Sequence, residues 1–338
     1  MGDDQSVSSD RVTAIPDSED IERVGRYDFP WSPINYRTYE ALEGAIDIHQ
    51  HTHPDAIDRL LTDLEAVAQA KAVKMRAVMI KCHTSMSADR AAAAKEAVGG
   101  GIEVFGLICL NPAVGGINPE AVKYAIKMGV KAVWMPSMWS AHNVQYVKAM
   151  KHKMGDESIS TQFGDVGVDI VDEKGRMKPE MHEILGMAAA ADIMISTGHL
   201  SLEGAHLLLD EANKAGVGKL VVHTVNYHTM NYPLKDLKKM VEVNGAFLEF
   251  GFSSLPNPIW MPVDMSRLWT LSDICEAIRA VGPEHCILST DSGQFTTASP
   301  IECMRMWGEL LKVRGFERAE TDLMTKTNPA KVLGLDPM

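Results

Sequence analysis

The chain lacks the features that mark several large classes of protein. It has 338 residues but only five cysteines, with no CxxC spacing, so neither a disulfide scaffold nor a paired-cysteine metal site is expected. No run of about 18 apolar residues is present, so no membrane-spanning helix is expected. The opening segment MGDDQSVSSD has neither the basic nor the apolar part of a signal peptide. We therefore expect a cytoplasmic protein with reduced thiols.

Basic residues are also fewer than acidic residues. The 33 basic residues are outnumbered by 45 acidic ones, which gives a net charge of −12. Such a surface repels phosphate backbones and anionic lipids, so neither nucleic acid nor a membrane is an expected partner. With 46% apolar and 23% charged residues, the composition is that of a globular protein. We expect a small-molecule substrate and a homo-oligomer.

One unit repeats along the chain. Short apolar runs rich in β-branched residues each precede a helix-like stretch, and most of them begin 27 to 31 residues apart. A strand, a loop and a three-turn helix need roughly 25 to 30 residues, so the unit is βα. The runs are Ala45–His51, Arg76–His83, Glu103–Asn111, Lys131–Ser137, Asp192–His199, Lys219–Val225, Ala246–Ser253 and His285–Asp291. Eight units predict an α/β protein of the (β/α)₈ TIM-barrel class rather than an open doubly wound sheet.

The predicted barrel domain covers residues 41–338 and follows an N-terminal extension, residues 1–40. Two intervals between strands are too long for one unit, and they predict insertions at about 138–177 and 254–271. The first contains VDIVDEKGRM, which predicts a hairpin turning at Glu173–Gly175. Both insertions follow strands directly, so they should project from the face where barrel enzymes hold their active sites.

Polar residues close the predicted strands. The first strand ends in D-x-H-x-H, and alternation should place Asp47, His49 and His51 on one face. Later strands end at His199, His223 and Asp291. Because the strand ends of a barrel meet at one mouth, these imidazoles and the carboxylate predict a divalent-metal site. Nitrogen ligands favour Zn²⁺, with Mn²⁺, Fe²⁺ and Co²⁺ as alternatives.

These residues resemble the pattern of the amidohydrolase superfamily. The D-x-H-x-H motif, His199, His223 and Asp291 match it in order, and Asn328–Leu335 is similar to the terminal helix of several of its branches. More closely, the chain resembles an uncharacterised amidohydrolase-related branch from about Gly44 to Leu335. The similar segments are IKCHTSMSADRA, GIEVFGLICLNPAVGGINPEAV, VWMP, TGHLS and ILSTDSGQ.

The resemblance implies a set of site residues. The implied metal ligands are His49, His51, His199, His223 and Asp291, with one or two ions bound. Asp291 would also orient the attacking water and carry its proton. The fourth strand, KAVWMPS, lacks the lysine or glutamate that often bridges two ions in the superfamily, which puts a binuclear centre in doubt.

Further residues are expected to act beside the metal. Lys81, two residues before His83 and on the same face, is assigned a catalytic role, as a carbamate ligand or as a binder of a substrate anion. The expected substrate-binding residues are His83, His228, Trp139, Trp260 and Glu249. A surface role remains open for His228, and a salt bridge for Glu249.

The favoured function is a metal-dependent hydrolase that cleaves a C–N or C–O bond of a small, largely apolar carbonyl compound. The aromatic residues Trp139 and Trp260 in the insertions suit a flat or apolar substrate body. Two alternatives remain open: a zinc-dependent decarboxylase of an aromatic or unsaturated acid, and a barrel that binds a metal or metabolite without catalysis.

Overall fold

Eight parallel strands form one sheet in the order of the sequence in the computed structural model, which describes residues 36–154, 167–255 and 268–336. Each strand lies within the run predicted for it. The strands are β1 (Ile46–His51), β2 (Ala77–Lys81), β3 (Glu103–Cys109), β4 (Ala132–Trp134), β5 (Met194–Ser196), β6 (Leu220–Val222), β7 (Phe247–Gly251) and β8 (Cys286–Ser289). Gln50 of β1 pairs with Ser292, just beyond β8. The sheet therefore closes into the predicted (β/α)₈ barrel.

Helices alternate with the strands. They are α1 (Asp63–Ala72), α2 (Ala88–Ala97), α3 (Pro119–Lys127), α4 (Ala141–Met154), α5 (Pro179–Ala190), α6 (Leu202–Lys214), α7 (Leu234–Asn244), α8 (Leu271–Val281), α9 (Pro300–Val313), α10 (Arg318–Asp322) and α11 (Asn328–Leu333). Side chains cap several of them. Asn118 accepts a hydrogen bond from the N–H of Ala121 at 3.2 Å, and Ser201 accepts one from Gly204 at 3.1 Å. Each cap contributes about 1 kcal/mol to helix stability.

The barrel interior is apolar away from the mouth. Inward side chains of the strands form one buried cluster that includes Ile46, Ile48 and Met79. Helix α11 closes the end opposite the mouth, where Val332 and Leu333 join the same cluster. Burial of side chains of this size contributes about 1.5–3 kcal/mol each. The interior is thus a packed core, and polar side chains reach it only at the mouth.

Strand β1 contains an extra residue that changes which side chains point inward. Asp47 is opposite Val78, but Gln50 is already opposite Ile80, so three steps on β1 match two on β2. This is the geometry of a β-bulge. Beyond it, His49 points inward together with His51. Asp47 does not share their face, contrary to the expectation from strict alternation.

The carboxylate of Asp47 instead binds Thr290, the residue that follows β8. It accepts hydrogen bonds from the hydroxyl of Thr290 at 2.6 Å and from the N–H of Thr290 at 3.1 Å. The first residue of the D-x-H-x-H motif therefore joins the first strand to the last.

The predicted insertions are described in part. In the first, Val171 pairs with Met177 in an antiparallel bridge around Gly175, whose φ of +72° suits glycine, so the predicted hairpin is confirmed. In the second, residues 256–267 lie outside the described residues, and Trp260 is among them. Residues 1–35, most of the predicted extension, also lie outside. The described residues from Ala41 onward form one compact unit. None of the described helices is both long and apolar enough to cross a lipid bilayer.

Candidate metal centre

The residues predicted to bind a metal come together at the mouth of the barrel. His49 and His51 end β1, His199 follows β5, His223 follows β6, and Asp291 follows β8. All of them are buried. They converge because the carboxyl ends of parallel barrel strands surround one opening.

Three donor atoms form a tight group at this opening. The Oδ1 atom of Asp291 lies 3.0 Å from Nε2 of His49 and 3.1 Å from Nε2 of His51. Two ligands of one tetrahedral zinc ion, each about 2.1 Å from the metal, lie roughly 3.4 Å apart. The spacing of the three donors therefore suits a single ion.

Glu249 of β7 lies beneath the histidines and is fully buried. Its Oε1 atom is 2.7 Å from Nδ1 of His49. Its Oε2 atom is 3.2 Å from Nδ1 of His223, and the angle of this second contact is that of an ion pair rather than a hydrogen bond. The hydroxyl of Ser289 and the N–H of Thr224 donate to the same carboxylate. A carboxylate at Nδ1 turns Nε2 of each ring away from itself. Glu249 thus orients two site histidines, which differs from the substrate contact expected for it.

His199 lies beside His223, with 5.1 Å between their ring centroids, and 4.7 Å from the ring of Tyr227. Its Nδ1 atom is buried and has no hydrogen-bond partner among the described residues. An unsatisfied buried polar atom costs about 1–3 kcal/mol. A metal ion would satisfy it, so this nitrogen fits the role of a ligand.

The protonation states also fit a metal centre. Burial lowers the pKa of His51 and of His199 well below the ordinary value, and it lowers the pKa of His223 to about 4. Burial opposes ionisation of Asp291, but the neighbouring His49 and His51 hold the pKa of its carboxyl well below its usual range. Neutral imidazoles and an ionised carboxylate are the forms that bind divalent metals. His49 differs: burial opposes its protonation, but the neighbouring Asp291 and Glu249 raise its pKa, so a metal ion bound there would displace a proton. Nitrogen donors joined by one carboxylate are the donor set of zinc sites.

Lys81 reaches the same centre from the end of β2. Its Nζ atom lies 3.2 Å from Nε2 of His49 and 4.7 Å from the ring centroid of Trp134, and burial lowers its pKa. Trp134 also contacts the ring edges of His49 and His223, at centroid distances of 4.6 and 4.7 Å. The indole therefore packs against the histidine rings of the centre, and Lys81 contacts both the indole and His49.

A second polar group borders the centre at the rim. The Oδ2 atom of Asp55 lies 3.0 Å from Nδ1 of His83 and 2.7 Å from Nη2 of Arg59. The ring of His83 stacks on that of His51, with 4.8 Å between centroids. His51, Asp55 and His83 also have the spacing of metal ligands, but Nη2 of Arg59 is 3.0 Å from Nδ1 of His83. A positive charge is thus already present there.

Asp55 and Arg59 were missed from the sequence. They lie in the loop after β1, and the only signal available was their place immediately after the D-x-H-x-H strand.

The cleft above the centre has a cavity volume of about 50 Å³. Its lining combines the polar residues of the mouth with an apolar wall. The lining residues are His51, Ile57, Arg59, Lys81, His83, Met138, His199, Tyr227, His228, Ser253, Ser254, Leu255, Leu268, Asp291 and Gln294. His83 and His228 thus lie where substrate contacts were predicted. Trp139 is half-buried behind the lining, with its ring 5.9 Å from that of His83.

The chain is similar to one protein family and to several solved structures. A family model described as "Family of unknown function (DUF6282)" matches residues 44–249. No curated protein matches the chain. Among solved structures, an amidohydrolase from Pseudomonas aeruginosa is 13% identical, with a TM-score of 0.56 over 88% of this chain and 98% of that one. The probable dipeptidase PvdM from Pseudomonas aeruginosa is 10% identical, with a TM-score of 0.53 over 88% of this chain and 96% of that one.

A third similar structure is an amidohydrolase from Burkholderia multivorans. It is 14% identical, with a TM-score of 0.50 over 86% of this chain and 99% of that one. At such identities the likeness concerns the fold alone. The chain therefore has the fold of amidohydrolase superfamily members, as its motifs predicted, and the reaction must be argued from the site.

Proposed function

The chain belongs to DUF6282, a family of unknown function, and we propose that it is a metal-dependent hydrolase. The reaction is the attack of water on a small carbonyl compound with cleavage of a C–N or C–O bond, as in an amide, lactam, ester or lactone. One observation carries the proposal: Oδ1 of Asp291 contacts Nε2 of both His49 and His51 at the base of an open cleft.

The metal would be held by the donors that line the mouth, and Zn²⁺ suits them best, with Mn²⁺, Fe²⁺ and Co²⁺ as alternatives. The ligands are His49, His51, His199, His223 and Asp291. When bound, a divalent cation lowers the pKa of water and polarises a carbonyl group. We propose one ion, because the carboxylate of Glu249 is occupied in orienting His49 and His223 and does not bridge two ions.

Asp291 moves the proton in this reaction. Its carboxylate is ionised at neutral pH, so it accepts a proton from the attacking water while the water oxygen bonds to the carbonyl carbon. The same carboxyl then donates that proton to the leaving nitrogen or oxygen as the C–N or C–O bond breaks. The products are a carboxylic acid and an amine or alcohol, and Asp291 returns to its ionised form.

Lys81 supports the same step, and its Nζ atom contacts the same ring nitrogen of His49 as Asp291 does. Its Nζ atom lies among the donors of the centre and over the face of Trp134, which favours a cation at that place. A cationic donor beside the carbonyl stabilises the negative charge that develops on its oxygen. We therefore assign Lys81 to the oxyanion. Were it a carbamate ligand instead, the mass of the intact native protein would be higher by one CO₂, and Lys81→Met would lose that increment.

The apolar wall of the cleft suggests the body of the substrate. Ile57, Met138, Leu255 and Leu268 are among the residues that line the cleft. A small, partly apolar molecule buried against them would gain roughly 25 cal/mol for each Å² of apolar surface removed from water. Trp139 and Trp260 are proposed to extend this wall.

The proposal is tested with a panel of small amides, lactams, esters, lactones and aromatic acids in H₂¹⁸O. Hydrolysis places one ¹⁸O atom in the acid product, whereas a decarboxylase releases CO₂ and places no ¹⁸O in its organic product. We expect ¹⁸O incorporation that depends on added metal and is lost in Asp291→Asn. Release of CO₂, or metal binding without turnover of any class, would reject the hydrolase and favour one of the two alternatives.

The same panel tests the apolar wall. Trp139→Ala and Trp260→Ala should lower kcat/KM for the best apolar substrate, because each removes aromatic contact area. Tyr124→Ala is the matched control, because that ring is 54% exposed on α3. Unchanged kcat/KM in both tryptophan variants would remove these residues from the binding surface.

A further inference from the structure

Arg59 is a buried cation on the wall of the cleft, and the proposed hydrolysis does not use it. Its side chain is only 1% exposed, yet it lines the same cleft as His51, Lys81 and Asp291. Burial of a guanidinium group is costly unless its charge has a partner. Asp55 is that partner, so the feature to explain is why this buried pair places its guanidinium on the lining of the cleft.

The loop that carries Arg59 is attached to both sides of the mouth. The N–H of His53 donates to the carbonyl of Leu61 at 2.8 Å, and the N–H of Leu60 donates to the carbonyl of Gly293 at 2.7 Å. Arg59 itself pairs with Gln294 in an antiparallel bridge. The backbone at Arg59 is thus held against the loop that also carries Asp291, which fixes the guanidinium relative to the centre.

Its bonds within the protein leave part of the guanidinium available. Nε and Nη2 of Arg59 both donate to Oδ2 of Asp55, at 3.1 and 2.7 Å. Nη2 also lies 3.0 Å from Nδ1 of His83. In the described part of the chain, no hydrogen bond of Arg59 uses Nη1. Asp55 therefore holds one edge of the group, and no described residue accepts from the Nη1 end.

We propose that Arg59 binds a carboxylate of the substrate. The inference rests on the proposed function, since the same cleft would hold the reacting carbonyl at Asp291. A planar guanidinium matches a carboxylate in shape and charge. The cations Arg59 and Lys81 line the cleft, and Asp291 is the acidic residue among its described lining residues. The substrate class is then a small carboxylic acid that also carries an amide, lactam, ester or lactone, with an apolar part between the two groups.

The surroundings favour a carboxylate over a phosphate. A phosphate is usually bound by several cations or by the N–H groups of a helix start. Within the described lining of the cleft, Arg59 is the arginine, and it already shares its charge with Asp55. One end of one guanidinium suits a singly charged planar group.

The test is a binding experiment, which does not require a known substrate. Benzoate and benzamide have the same flat apolar body and differ in charge, so their dissociation constants are compared by calorimetry. We expect benzoate to bind the wild-type protein at least about tenfold more tightly than benzamide. Arg59→Met should remove that preference without changing the affinity for benzamide, and Arg59→Lys should retain part of it. Arg90→Met is the matched control, because Arg90 pairs with Asp63 outside the lining of the cleft.

Metal-loaded and chelator-treated protein are compared, because a carboxylate can also bind a metal directly. If benzoate binding disappears with the metal and is unchanged in Arg59→Met and Arg59→Lys, the arginine subsite is rejected while the hydrolase proposal stands. If the preference depends on Arg59 in protein that binds no metal, the subsite stands and the hydrolase fails. Equal affinities for benzoate and benzamide in the wild type would also reject the subsite.

Discussion

Asp291 binds His49 through both its main chain and its side chain. The N–H of Asp291 donates to the carbonyl of His49 at 2.8 Å, and its Oδ1 atom lies 3.0 Å from Nε2 of the same residue. The backbone of Asp291 has a φ of +46°, in the left-handed region. A non-glycine residue there costs about 1 kcal/mol or more, and asparagine and aspartate tolerate it best. The carboxylate of Asp291, just after the last strand, is thus positioned by a left-handed backbone conformation that few residue types adopt.

Asp291→Asn should therefore separate catalysis from folding. Asparagine tolerates the left-handed conformation and keeps an oxygen near the histidines, but it cannot accept the proton of water. We expect retained metal, an unchanged thermal unfolding midpoint within about 2 °C, and a kcat at least about 10² lower. Asp291→Ala is the comparison and should also lose metal. Near-normal turnover in the asparagine variant would show that another group moves the proton.

Removal of a histidine ligand should remove the metal. His49→Ala and His223→Ala each delete a donor of the centre, and affinity falls steeply when one ligand of a three- or four-ligand site is lost. Metal content after dialysis is measured by mass spectrometry. His182→Ala is the control, because its ring is 54% exposed and pairs only loosely with Glu211 at 3.7 Å.

A chelator gives a second measure of the same site. Because a ligand of the folded state raises stability by mass action, EDTA should lower the unfolding midpoint of the wild type but not that of His49→Ala. Full metal occupancy in both histidine variants contradicts the assignment.

Glu249→Gln should lower the metal affinity of the centre, although it replaces none of the proposed ligands. The amide keeps the volume of the carboxylate but loses its charge, and its NH₂ group cannot accept from Nδ1 of both His49 and His223. We expect metal affinity to fall by about 10- to 100-fold, as is typical when an outer partner of a metal-binding histidine is lost. Competition with a chromogenic chelator measures this. The exposed Glu242→Gln is the control, and equal affinities in the two variants would limit Glu249 to packing.

The five thiols should be unreactive in the native protein. All five cysteines are free and buried, and burial raises the pKa of Cys303 to about 12. Thiols react as thiolates, so neither access nor ionisation favours attack. We expect none to react with a disulfide reagent within minutes at pH 8, and all five to react in denaturant. Fast reaction of one thiol would reveal local opening near that residue.

Much of the barrel was readable from the sequence because parallel strands are buried on both faces. Such strands appear as short continuous apolar runs, and each of β1 to β8 lies inside its predicted run. The positions of the proposed ligands could be predicted for the same reason, because a histidine such as His199 at the end of an apolar run is conspicuous.

The features of the site that could not be predicted depend on contacts between residues distant in the sequence. The position of Arg59 is set by the bond from Leu60 to Gly293, more than two hundred residues away. Glu249 appeared as one acid in an apolar strand, and only the closed barrel brings both of its oxygens to Nδ1 atoms of site histidines. Local pattern carries no information about such pairs.

The extra residue in β1 determines which of its side chains face the barrel interior. A regular strand that began inward at Ile46 would turn Ile48 and Gln50 to the interior, and both histidines of the motif would face the surrounding helices. Because of the bulge, Ile46 and Ile48 pack in the core while His49 and His51 face the proposed metal site. Deleting Ile48 would remove the bulge and leave a regular strand in which Ile46, His49 and His51 still face inward, so the extra residue adds a core side chain to a strand that also supplies two histidines of the site.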